Sequence, residues 1–142
     1  MTSAPPGQTF KRDMIRLGTV GGVLVLAFIS VSFYFARQAS LRHAAECDAL
    51  FRPLVAEGAS PATVSARVGT SGESFPRGQE AALSHRLSAF GPGPQSATKI
   101  QDALARSDSA QLYVPPSFQV YVAFYDPAAR LREYVCFDYT TD

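Results

Sequence analysis

The sequence predicts an α+β protein: one N-terminal transmembrane helix, then a small domain of about four helices packed on a short antiparallel sheet that ends in a β-hairpin. Three observations carry this. Leu17 to Ala36 is a run of twenty residues without a charge, and as a helix it matches a hydrocarbon core roughly 30 Å thick. From Gln38 to about Arg52, and again in shorter stretches up to Arg106 set apart by Gly, Pro and loop residues, apolar residues recur every three or four positions. Half of the sixteen aromatic residues then fall between Tyr113 and Tyr139, in runs rich in β-formers. The chain divides accordingly into a tail (1–16), a span (17–36) and an extramembrane domain (37–142), whose length suits one small domain.

Residues 1–10, with Pro5-Pro6-Gly7, are polar and read as an unstructured tail. The span behaves as an uncleaved signal anchor. It exceeds the apolar length of a secretory signal, and Tyr34 and Arg37 stand where cleavage needs small residues. Net charge is +2 over residues 1–36 and −1 over 37–142, a lean toward an N-terminus in the cytoplasm. Phe33, Tyr34, Phe35 and Arg37 mark the far interface. Within the span, Gly18 and Gly22 form a small-xxx-small pair that permits close helix packing in lipid.

After the span, Leu41, Ala44, Cys47, Leu50, Phe51 and Leu54 give one apolar stripe, a helix that Pro53 is expected to kink or end. Ser60-Pro61 caps and starts a helix over 61–68 that Gly69 stops. Residues 70–79 read as loop. A helix over 80–90 presents Leu83, Leu87 and Phe90, and Gly91-Pro92-Gly93-Pro94 breaks it. Ser96 is expected to cap a further helix with Ile100, Ala103 and Leu104 inward. Strands are expected over 112–114, 118–125 and 131–139, the last two joined by an Asp126-Pro127-Ala128-Ala129 turn.

That hairpin is apolar on both faces. Phe118, Val120, Val122 and Phe124 oppose Tyr121, Ala123 and Tyr125; in the last strand Leu131, Val135, Phe137 and Tyr139 oppose Tyr134 and Cys136. A half-exposed antiparallel sheet alternates apolar with polar. Tyrosine buries area while keeping a polar tip, so Tyr121, Tyr125, Tyr134 and Tyr139 are candidates for a partner surface.

Composition narrows the functional classes. A net charge of +1 without a basic block argues against nucleic acid. His43 and His85 lie in no catalytic motif and no nucleophile elbow is present, which points away from an enzyme and a small-molecule substrate. No haem-attachment motif occurs, and Gly91–Pro94 cannot cradle phosphate because proline lacks the N–H donor; no cofactor is expected. Cys47 and Cys136, on one side of the span, read equally as a disulfide or as two buried thiols. With His43 and His85 they could in principle make a two-Cys, two-His zinc site or a thiol-based activity, though without the tight CxxC or HxxxH spacing of metal ligands. His43 itself reads as a membrane-surface residue.

Leu54–Gly69 (LVAEGASPATVSARVG), with the final strand pair VYVAFYDPAARLREYVCF, resembles the SmpA/OmlA-like lipoprotein domain of outer-membrane assembly. That resemblance implies structural roles for Gly58, Ser60, Val64 and Gly69 and a non-enzymatic scaffolding role. The chain departs from the family in having no lipid-attachment cysteine and in carrying two helices over 80–106. Together these readings lead to the expectation of a non-catalytic, single-pass accessory subunit of a larger bacterial membrane complex (respiratory, photosynthetic or secretion type). Its domain would be periplasmic, and its partners the bilayer and other subunits; an SmpA/OmlA-type assembly scaffold is the alternative.

Overall fold

The computed structural model of the chain describes residues 6–117 and 119–139. It is α+β, in the order α1 (Pro6–Glu57), α2 (Pro61–Val68), β1 (Glu73–Pro76), α3 (Glu80–Ser88), α4 (Pro94–Arg106), β2 (Ser109–Tyr113), β3 (Gln119–Tyr125) and β4 (Leu131–Asp138). The chain falls into two units, residues 1–39 and 40–142.

The first unit is helical. The tail expected to be unstructured over 1–10 is helix from Pro6 onward; residues 1–5 lie outside the described residues, as does Phe118. Every residue from Arg16 to Arg42 is exposed, with Leu17 and Phe28 about three-quarters so (75% and 74%). Among the described residues, one helix is long and apolar enough to cross a membrane, and it is this one.

In the second unit, α1 continues through Pro53 to Glu57 and neither ends nor breaks at the proline. Proline withholds one N–H and crowds the preceding turn, but Phe51 and Leu54 on either side are fully buried and hold the last turn. Gly58 then adopts φ 61°. Its N–H donates to the Val55 carbonyl at 3.0 Å, and the Ala59 N–H to the Leu54 carbonyl at 2.9 Å, the paired bonds of a Schellman cap. α2 has the expected bounds: the Ser60 hydroxyl accepts from the Thr63 N–H at 3.3 Å, and Gly69 closes it at φ 83°. α4 starts earlier than expected, with Gly93 at the N-cap and Pro94 in the first turn; Ser96 lies inside the helix.

The strands form one open antiparallel sheet in the order β1-β2-β3-β4. β1 lies in the stretch expected to be loop. It is four residues long, buries Phe75 alone and ends on Pro76, as suits a short edge strand. In the hairpin turn the Ala129 N–H donates to the Asp126 carbonyl at 2.9 Å. The Asp126 carboxylate accepts from the Ala128 and Arg130 N–H groups at 2.9 Å each and from Arg132 Nε at 2.9 Å. Those backbone bonds, Arg130 first, with Arg132 beside them, hold the Asp126 carboxyl below its ordinary range.

Helices cover both sides of the sheet. One side packs Ala110, Leu112, Val120, Val122, Phe124, Val135 and Phe137 against Leu83 and Leu87 of α3 and Ile100 and Ala103 of α4. The other packs Tyr113, Tyr121, Ala123, Tyr125 and Leu131 against Cys47, Phe51 and Leu54 of α1 and Val64 of α2. Leu131 therefore sits on the tyrosine side, opposite to its expected face. The reason is a bulge: Tyr125 pairs with Leu131 but Phe124 with Glu133, so Arg132 is an extra residue and the side-chain alternation restarts after it.

Candidate functional site

Three places hold the residues that the sequence singled out. The first is the exposed apolar helix. A Cβ built at Gly18, Gly21 or Gly22 would meet nothing within 4 Å, so this chain's own packing does not require the glycines. Two hydroxyls of this helix are satisfied within it: the Ser30 hydroxyl donates to the Leu26 carbonyl at 2.8 Å and the Thr19 hydroxyl to the Arg16 carbonyl at 3.1 Å. Backbone back-bonding of this kind removes the cost of a bare hydroxyl in hydrocarbon.

The second is the tyrosine side of the sheet, where the expectation of a partner surface needs correction. Tyr125 is fully buried and Tyr121 nearly so, because α1 and α2 of the same chain lie over them. The Phe51 ring stacks on Tyr134 with centroids 5.0 Å apart and meets Tyr121 edge-on at 5.4 Å. Tyr134 is half-buried and donates its hydroxyl to Asp48 of α1. Tyr139 belongs to the opposite side, packed edge-on against Phe90 with centroids 5.6 Å apart. Alternation revealed an apolar second face; it could not reveal that the stripe on α1 was its cover.

The polar tips on this side are matched internally. The Tyr113 and Tyr125 hydroxyls lie 3.1 Å apart, Tyr113 donates to Gln111, and Tyr121 donates to Gln119. Burial pushes the Tyr125 and Tyr121 hydroxyls up. Burial, reinforced by the Asp48 carboxylate, pushes Tyr134 up to about 12. The glutamines were not singled out, yet the sequence carries their signal: Gln-x-Tyr occurs in both β2 and β3 (QLY, QVY), placing acceptor and donor two residues apart on one face. Tyr113 also explains Gly72, where a Cβ would come within 2.7 Å of its ring.

The third place is the outer edge of β4. Cys47 of α1 and Cys136 of β4 are joined in a disulfide with Cα atoms 6.5 Å apart. That leaves no thiolate at either cysteine, and His85 is exposed on α3. Among the described residues no group of three His, Cys, Asp or Glu side chains is placed to hold a metal. The two-Cys, two-His set is therefore not assembled. His43 instead pairs with Asp138, its Nδ1 3.1 Å from both carboxylate oxygens.

Two adjoining cavities flank the disulfide. One, of about 300 Å³, is lined by Ser40, His43, Ser96, Gln119 and Asp138. The other, of about 180 Å³, is lined by Cys47, Lys99 and Tyr134 among others, and shares Ala44, Ser96 and Cys136 with the first. α1 and α4 cover opposite sides of the sheet, so residues from both meet where the sheet stops: along the outer side of β4 at Tyr134–Cys136, and at its end, where Gln119 of β3 and Asp138 line the first cavity. The cavities thus form a trench along β4, with α1 and α4 as walls.

Comparisons with family models, with curated proteins and with solved structures return no match. The fold is an α+β domain with an open four-stranded antiparallel sheet, preceded in the chain by one long apolar helix.

Proposed function

We propose that the protein is a single-pass, non-catalytic accessory subunit of a larger membrane complex, with residues 17–36 in the bilayer and the domain on the oxidising side, the periplasm of a bacterium. The observation that carries this reading is the apolar run of α1, exposed along its whole length. Roughly twenty such residues in water would carry a free-energy penalty that lipid removes. The Cys47–Cys136 disulfide supports the orientation, since disulfides persist in oxidising compartments. The bare glycine face at Gly18 and Gly22 supports lateral contact with another membrane helix. The alternative, an envelope-assembly scaffold of SmpA/OmlA type, would act without a stoichiometric membrane partner.

Extraction in mild detergent tests the reading. The chain should migrate with other membrane proteins at constant ratio, and Gly18→Leu with Gly22→Leu should loosen that association while leaving the domain folded. A chain that migrates alone overturns it. Labelling of an added cysteine in the tail by an impermeant reagent decides the orientation: protection in intact cells agrees with a cytoplasmic N-terminus, and labelling contradicts it.

A further inference from the structure

We propose that the trench along the outer edge of β4 takes an extended peptide segment of a partner as a fifth strand, with an acidic side chain of that segment on Lys99. The inference rests on the reading of the domain as a binding module and names the surface it uses. β4 is eight residues long and is the last strand in the sheet order, so its outer side presents main-chain N–H and C=O groups that another backbone can pair. At its start the Leu131 N–H is taken up by the Ala59 carbonyl at 2.9 Å. From Tyr134 to Asp138 the strand borders the trench instead.

Three features select the occupant. The edge is recessed between α1 and α4, so the β4 of a second copy, recessed between its own walls, cannot reach it; an unflanked strand can. The lining is mixed: Ser40, His43, Ser96, Gln119 and Asp138 are polar, while Ala44, Val135 and Phe137 are apolar, which suits a strand that pairs through its main chain and seats alternate side chains better than the apolar face of a helix. Charge then orients the strand. Lys99 is exposed, lies at the Tyr134–Val135 end and forms no ion pair among the described residues. Asp138 at the other end already carries His43. The two ends lie three to four residues apart along β4, about 10–13 Å, so an acidic residue on Lys99 leaves three or four further residues to pair toward Asp138.

The test selects random displayed heptapeptides on the full chain in nanodiscs, with empty nanodiscs as the control. Enriched peptides should be rich in β-branched residues with one acidic position. Blocking an edge-facing amide by N-methylation should cost about tenfold in affinity. Lys99→Glu should exchange the acidic preference for a basic one, and Ala44→Arg should fill the trench and abolish binding. Both positions are exposed, and retention of the disulfide checks that each variant folds. No enrichment over empty nanodiscs overturns the proposal, as does binding indifferent to N-methylation or to Ala44→Arg. The two readings fail separately: partners retained by Ala44→Arg remove the trench and leave the accessory subunit, whereas a wild-type chain migrating alone removes the subunit and leaves the peptide result standing.

Discussion

The two sides of the sheet are built from different chemistry for different neighbours. Under α3 and α4 the contacts are hydrocarbon: Val120, Val122, Phe124, Val135 and Phe137 meet Leu83, Leu87 and Ile100. Under α1 and α2 the same strands present tyrosines whose hydroxyls pair with each other, with Gln111 and Gln119, and with Asp48. Apolar packing is non-directional and tolerates repacking, whereas matched polar tips accept few arrangements. The directional side is the one that receives α1, and it is also the side with the disulfide. Tyr134, through Asp48, ties α1 to the sheet by a directional bond, the other tyrosine hydroxyls are matched chiefly within the sheet, and the aliphatic side supplies bulk stability.

Four experiments test that contrast. The largest effect is expected from the aromatic keystones. Phe51→Ala on the tyrosine side and Phe124→Ala on the aliphatic side should each cost about 3–5 kcal/mol in urea unfolding, but Phe51→Ala alone should disturb tyrosine fluorescence, because its ring touches Tyr121 and Tyr134. Next, replacing Cys47 and Cys136 with serine should cost about 2–4 kcal/mol, and reductant should lower wild-type stability toward that of the double variant and leave the variant unmoved. Smaller is Tyr125→Phe, which keeps the ring and deletes the hydroxyl contact with Tyr113; a loss of about 0.5–1.5 kcal/mol is expected, and none would mean that the network adds no stability. Last is alkaline pH. The folded Tyr134 hydroxyl titrates at about 12, above its unfolded value near 10. Its contribution is therefore full below pH 10 and lost as pH rises toward 12. Asp48→Asn should lower that midpoint in an absorbance titration.

Much of the fold was legible because its signals are local. Ser60-Pro61 and Gly69 bound α2 by capping chemistry alone, and the Asp126–Ala129 turn announced the hairpin. What escaped depends on tertiary context. β1 has four residues and a single buried side chain, too short for alternation to register. Pro53 reads as a helix end until the burial of Phe51 and Leu54 outweighs one missing hydrogen bond. Leu131 changes sides because of a bulge that no residue pattern marks. Of the candidate site, the glycine face and both cysteines could be named from sequence, but the trench could not. It exists only where α1, α4 and the last strand converge, and those elements are separated in the chain by tens of residues.

The disulfide has a consequence for the order in which the molecule is completed. Cys47 lies close behind the span, while its partner follows 89 residues later. In the proposed topology the lone Cys47 thiol would reach the oxidising side first and wait there while α2, β1, α3, α4, β2 and β3 are made. Until β4 arrives, that thiol is open to any other cysteine nearby, and the tyrosine side has no covalent tie to the helix that covers it. A thiol-exchange catalyst that shields Cys47 over this interval would raise the yield of correctly joined chains, and its absence would appear as mixed disulfides at Cys47.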